Sequence, residues 1–137
     1  MGSNPATPTI MSDLEQFSLA VAAKRGVTGV AFDKLRRRSP LTTGQWSQIL
    51  GLSQQTLGRY RREGRRFDVA HSDKILQIEL LVRRGSDVFG DQEIFFEWLQ
   101  TPNAIFKGRK PLDLMDSSFG INLLLLELGR IEHGIFA

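Results

Sequence analysis

The sequence predicts an all-α fold, on three observations. Apolar residues recur at helical intervals along most of the chain, capping residues and glycines punctuate that pattern, and no useful stretch shows the period-two alternation of a half-buried strand. With 137 residues, 41% of them hydrophobic and 24% charged, the chain has enough apolar material for one domain, or two small ones sharing a core. That size disfavours a large catalytic scaffold.

Residues 1–9 contain Pro5, Pro8 and small polar residues without apolar periodicity, and residues 1–11 are expected to form a disordered tail. Ser12 is a good N-cap for a first helix ending at Gly26, with Leu14, Phe17 and Val21 as its apolar repeat. A second helix is expected over Gly29–Arg38, with Val30, Phe32 and Leu35 facing inward and Arg36–Arg38 at the C-terminal end, where cations complement the helix dipole. Ser39–Pro40 closes it. Thr42–Leu50 and Ser53–Arg62 read as two short helices around Gly51–Leu52. A longer helix is expected from about Ser72 to Arg84, stopping at Gly85, and its arc Ile75–Val82 is broader than one core contact needs. Asp91–Gln100 follows, interrupted by Thr101–Pro102–Asn103. A loop at Lys107–Pro111 leads to a last helix over about Ser117–His133. The expected organisation is a tail (1–11), a helix-turn-helix and dimerisation unit (12–86) and a C-terminal unit (87–137).

Charge is informative by position. The formal net charge is only +3, but residues 24–66 hold eleven bases against two acids, a local excess of nine, while the segments on either side are acidic. Such a segment favours a polyanion through release of condensed counterions, so a nucleic-acid backbone is its leading partner; a merely solvated basic face is the alternative. There is no cysteine, which removes disulfides, thiolate metal sites and cysteine nucleophiles and fits a reducing compartment. The longest apolar run is Leu123–Leu126 and the N-terminus lacks a basic and apolar leader pattern; a cytoplasmic protein without a membrane partner is expected.

The segment Thr42–Tyr60 has helix-turn-helix spacing. Gly51 can supply the positive φ of a tight turn, Ser47 is the small residue four positions earlier where the helices touch, and Trp46, Ile49, Leu50, Leu52 and Leu57 supply the apolar faces. Ser53 caps the second helix, whose first turn carries Gln54, Gln55 and Thr56, with Arg59 one turn on. Glutamine can pair bidentately with adenine and arginine with guanine, so these four are the base-reading candidates. Arg61, Arg62, Arg65 and Arg66, with some of Arg36–Arg38, are candidates for phosphates. A hairpin used only for packing is the alternative.

Catalysis is not signalled. His71 and His133 lie in different segments, and Glu132 beside His133 points about 100° away on a helix, so the two form no dyad. No phosphate loop, metal-ligand spacing or dinucleotide motif occurs; no cofactor and no metal are expected.

From Phe95 onward, Trp98–Leu99, Pro102–Asn103, Gly108, Pro111–Leu112–Asp113–Leu114, Gly120 and Gly129–Arg130–Ile131–Glu132–His133–Gly134 occur in order. This segment resembles the C-terminal toxin-binding domain of the Xre/MbcA/ParS antitoxins, and with the basic helix-turn-helix ahead of it the resemblance covers about residues 25–137. It implies an Xre-like helix-turn-helix bundle that binds operator DNA, followed by a small helical domain that neutralises a RES-domain toxin, an enzyme that consumes NAD or transfers ADP-ribose from it. The implied protein is an antitoxin and autorepressor without catalysis; a homodimer within a toxin–antitoxin complex is expected separately, because a helix-turn-helix protein spans two half-sites. Ser47, where such units often carry alanine, is a departure, and the helix before Gly26 has no mapped role. Lys107, Arg109 and Lys110, in a loop bounded by Gly108 and Pro111, are the leading toxin contacts, since cations could enter a cleft built for a pyrophosphate; a solvated turn is the alternative. Arg130, Glu132 and Phe136 are further candidates. A dimeric helix-turn-helix repressor without a toxin partner, joined through the Ile75–Val82 arc, is the competing functional reading.

Overall fold

The structure, a computed structural model, describes residues 12–134. The expected tail 1–11 and Phe136 lie outside the described residues. The elements are α1 (Asp13–Arg25), α2 (Gly29–Arg38), α3 (Thr43–Leu50), α4 (Gln54–Glu63), α5 (Val69–Phe89), α6 (Gln92–Gln100), two short 3-10 turns (Ala104–Phe106 and Pro111–Leu114) and α7 (Ser118–Gly134). Among the described residues there is no strand, only two isolated bridges, Thr28 with Arg66 and Asn103 with Arg109.

Each helix begins where the sequence offers a cap. The Ser12 side chain accepts from the Glu15 amide while the Glu15 carboxylate accepts from the Ser12 amide, a reciprocal capping box. Thr42 and Gln45 repeat it at α3. Thr28, Ser53, Asp68 and Asp91 cap α2, α4, α5 and α6. α5 therefore starts at the Asp68 cap, a turn before the expected Ser72, and runs through Gly85 instead of stopping there. Gly85 is not a terminator. A Cβ on it would lie 2.2 Å from the Phe95 ring, so this glycine is the notch that lets α6 close on α5.

α5 is the axis around which the other helices pack. Ile75, Ile78 and Leu81 are fully buried and Val82 nearly so, against α1, α3, α6 and α7. Ile75, Ile78, Leu81 and Val82 of the broad arc are thus consumed inside one chain, while Leu76 and Leu80 stay half-buried beside a surface groove. A single hydrophobic core runs from Val27 and Phe32 to Leu124 and Leu128, and the expected boundary at residue 86 falls within α5, whose faces serve both halves. In the N-terminal half Phe32 meets Trp46 edge-on at 5.1 Å and Phe67 at 5.6 Å; in the C-terminal half Phe95 stacks beside Trp98.

One apolar expectation is corrected. Val30 is half exposed rather than inward-facing, because α2 packs on α4 through Gly29 and turns Phe32 into the core against Trp46 and Phe67. Leu14, Phe17 and Val21 are 74%, 67% and 41% exposed. α1 instead meets α5 through the face that carries Leu19 and Ala23, so the repeat that marks the helix lies on its outer side.

Candidate functional site

The N-terminal site is built on α3, α4 and the end of α2. Gly51 adopts φ 69°, ψ 27°, the left-handed geometry that turns the chain steeply between α3 and α4. Ser47 gives the turn a second tie: its hydroxyl donates to the Leu52 carbonyl, while its own carbonyl accepts from the Gly51 and Leu52 amides. The departure from alanine is therefore a hydrogen bond that closes the turn. Trp46, Ile49, Leu50 and Leu57 are buried and Leu52 half-buried, locking the two helices together.

This packing leaves the first turn of α4 outward. Ser53, Gln54 and Gln55 are exposed, and Arg59 is exposed one turn further on. Thr56 is half-buried, and its hydroxyl accepts from Ser53 Oγ at 2.9 Å, which makes it part of the cap. Arg59 and Arg62 hold no ion pair or hydrogen bond among the described residues. The remaining candidates are tethered. Arg66 donates to the Gly26 carbonyl at 2.8 Å, and Arg65 lies over the Tyr60 ring at 5.0 Å, with Glu63 at 3.8 Å. Arg61 lies 3.8 Å from Asp33.

Asp33 organises this basic face, and sequence reading missed it. It is buried on α2, accepts from Arg36 Nε and Nη2 at 3.1 and 2.8 Å, and pairs with Arg37 Nη2 at 2.7 Å. Burial alone would raise its carboxyl pKa. The Arg36 hydrogen bonds and the guanidinium charges of Arg36, Arg37 and Arg61 outweigh that and hold it below the ordinary carboxylate range. Arg36 also donates to Thr43 Oγ1 at 3.2 Å, so one carboxylate joins α2 to the ends of α3 and α4. Three guanidiniums around one carboxylate still leave two positive charges beside α4. The i, i+3, i+4 spacing of Asp33, Arg36 and Arg37 was the available signal.

The C-terminal site is a short loop closed on itself. Asn103 donates its amide to the Arg109 carbonyl at 3.1 Å, and its carbonyl accepts from the Gly108 amide at 2.9 Å. Lys107 and Gly108 both have positive φ, 58° and 85°, and Lys107 is the one non-glycine residue so placed among the described residues. Lys107, Arg109 and Lys110 are exposed on this tip, while Pro111 is buried beneath it. The three cations are therefore held together on a preformed turn. Arg130 and Glu132 differ: Arg130 Nε lies 3.0 Å from the buried Glu127, and Glu132 lies 3.3 Å from Arg84 Nη2, so both are engaged within the chain. Ile94, Ile105 and Phe119 are exposed large apolar residues of this half, invisible to sequence reading because helical periodicity does not reveal which apolar residues the tertiary packing leaves out.

Comparison with known proteins matches both halves. The model of the antitoxin Xre-like helix-turn-helix domain matches residues 18–78, and that of the antitoxin Xre/MbcA/ParS C-terminal toxin-binding domain matches residues 84–134. A curated relative, "Antitoxin Xre" of Yersinia enterocolitica serotype O:8 / biotype 1B, is 24% identical over 120 residues, 87% of this chain and 81% of the relative.

Proposed function

The chain belongs to the Xre/MbcA/ParS antitoxins, pairing a helix-turn-helix domain with a toxin-binding domain in families that are not enzymatic, and from that premise we propose that it silences a RES-domain toxin and represses its own operon. In this reading the chain divides its work between residues 12–86 and 87–137. Gln54, Gln55 and Arg59 read base edges from the start of α4. Arg62, with the tethered Arg61, Arg65 and Arg66, holds phosphates, and Thr56 serves through the cap. Lys107, Arg109 and Lys110 approach the toxin's dinucleotide cleft, with Arg130 and Glu132 at the margin. Two copies act together, since a helix-turn-helix unit reads one half-site and a pair reads two.

The observation that carries this reading is the pairing, on one core, of an outward glutamine-bearing helix turn with a preformed cationic tip. Co-expression with the RES-domain product of the adjacent gene, followed by mass measurement of the purified complex, tests the partner. Growth rescue and a stable complex are expected; a chain that neither co-purifies nor rescues sinks the assignment. For the DNA arm, affinity for the upstream promoter should fall steeply with added salt, and a flat response contradicts phosphate-dominated binding.

A further inference from the structure

α2 packs on α4, while α5 packs on α1, α6 and α7. Between the C-terminal end of α2 and the middle of α5 this leaves a crevice of about 310 Å³, the size of a small-ligand site. Leu35 and Arg38, one turn apart on α2, form one wall. Glu79, Val82, Arg83 and Ser86, spaced i, i+3, i+4 and i+7 on one face of α5, form the other, and Trp46 of α3 lies at the floor. Hydrogen bonds fix this frame. The Trp46 indole Nε1 donates to Ser39 Oγ at 3.2 Å, and the same oxygen accepts from the Leu41 amide at 3.0 Å. Gln92, in the first turn of α6, donates its side-chain amide to the Arg38 carbonyl at 2.7 Å. The crevice is therefore shaped before anything enters it.

The charges at its rim are unmatched. Arg38, Glu79 and Arg83 make no side-chain hydrogen bond or ion pair among the described residues, although Glu79 and Arg83 are spaced i, i+4. Arg83 acts on Glu15 through charge alone. Arg38 differs in this from Arg36 and Arg37, which Asp33 holds. Two guanidiniums and one carboxylate leave a net positive charge over an apolar floor. The complement is a monoanion with an apolar body. A carboxylate matches the guanidinium fork, and a ring-sized group set against Leu35, Trp46 and Val82 leaves water behind. A phosphate dianion would exceed the net charge and face Glu79, and a neutral molecule would leave both guanidiniums unmatched. The residues proposed to read DNA or to meet the toxin lie elsewhere. Leu35 belongs to the matched region 18–78 and Gln92 to 84–134, so an occupant touches both domains.

We propose that the crevice between α2 and α5 binds a small aromatic or branched monocarboxylate, its carboxylate held by Arg38 and Arg83 and its apolar body over Trp46 between Leu35 and Val82. Because Gln92 already ties α6 to the end of α2, an occupant stiffens the junction of the two domains, which makes this an effector site. Titration calorimetry of the full chain with 3-phenylpropanoate is expected to show one site with a Kd of about 1 mM or tighter. The neutral 3-phenylpropanamide should bind about tenfold more weakly or worse. Arg38→Gln with Arg83→Gln, both at exposed positions, should weaken binding of the acid by a similar factor and leave that of the amide unchanged. Ser86→Leu, which fills the crevice, should remove binding of both with helix content retained.

No saturable binding of the acid up to about 10 mM overturns the proposal, as does equal affinity for acid and amide. Binding of the acid that is undiminished in the double arginine variant, or that survives Ser86→Leu, also overturns it. Tighter binding of L-phenylalanine than of 3-phenylpropanoate overturns the monoanion class by making Glu79 an ammonium acceptor. Binding that appears only after removal of residues 1–11 overturns the proposal by giving the crevice to the chain's own N-terminal segment. Failure of the wild type to rescue growth or bind its promoter, with the titration as expected, would instead sink the antitoxin-repressor reading and leave this site standing.

Discussion

The two halves treat their cations differently. In the N-terminal half Arg59 and Arg62 stand outward without a partner among the described residues, and even the Asp33 cluster gathers three guanidiniums around one carboxylate, leaving a net positive surface beside α4. In the C-terminal half Arg130, though exposed, is matched by the Glu127 carboxylate, and the lysines and arginines without a carboxylate partner are gathered on one tip of left-handed backbone at Lys107 and Gly108. A distributed positive face suits a polyanion, which offers charge at every step. A single rigid tip suits a concave partner with one anionic slot, because its ordering cost is met before binding. The same residue type is thus arranged for two kinds of partner.

The sharpest way to break that comparison is to remove the base readers. Gln55→Ala together with Arg59→Ala should lower operator affinity by a hundredfold or more, since each lost bidentate contact is worth about 1–3 kcal/mol, while toxin neutralisation stays intact. Equal loss of both activities, measured by promoter binding and by growth rescue, would show that the halves are not separate in function. Next in size is reversal of the tip. Lys107→Glu with Arg109→Glu should release toxicity in cells expressing the pair and weaken the complex by about a hundredfold, charged contacts at interfaces being worth about 1.5 kcal/mol or more each. Promoter binding should change little. If growth stays protected, inhibition works through another face, with Ile94, Ile105 and Phe119 the first to test.

Helix positions were legible because their signals are local. Ser12, Thr42, Ser53 and Asp91 name their helix starts from side-chain chemistry alone, and the Gly51 turn follows from one residue's backbone tolerance. Gly85 misled because a glycine after a basic pair looks like a helix end, whereas its role depends on Phe95, ten residues later. The side chain of Val30 on α2 misled for a related reason. Periodicity reports that a helix has an apolar side, and only the neighbours decide which side is covered. At the candidate site, exposure of Gln54, Gln55 and Arg59 followed from the helix-turn-helix spacing. The tethering of Arg61, Arg65 and Arg66 did not, since it depends on Asp33, Tyr60 and Gly26 meeting them through the fold.

The smallest expected effect probes how the distributed face is held. Asp33 is buried with its carboxyl depressed by Arg36, Arg37 and Arg61, so its ionised form favours the folded state. That contribution is fully present above the ordinary aspartate range near pH 4 and is lost as pH falls through and below it. Arg37 and Arg61 are substantially exposed, and water screens their share, which limits the effect of Asp33→Asn to about 1–2 kcal/mol of stability at neutral pH. The stability gap between wild type and Asp33→Asn, followed by urea unfolding, should narrow from pH 6 to pH 3 as the wild-type carboxylate is protonated. Operator affinity should meanwhile fall only a few-fold, because the substitution frees positive charge while loosening the geometry of α2 against α4, and the two act in opposite directions. A gap that stays constant across that pH range would mean that the cluster holds the face by packing and hydrogen bonds alone, and that the charge on Asp33 is incidental to how the N-terminal half keeps its arginines in place.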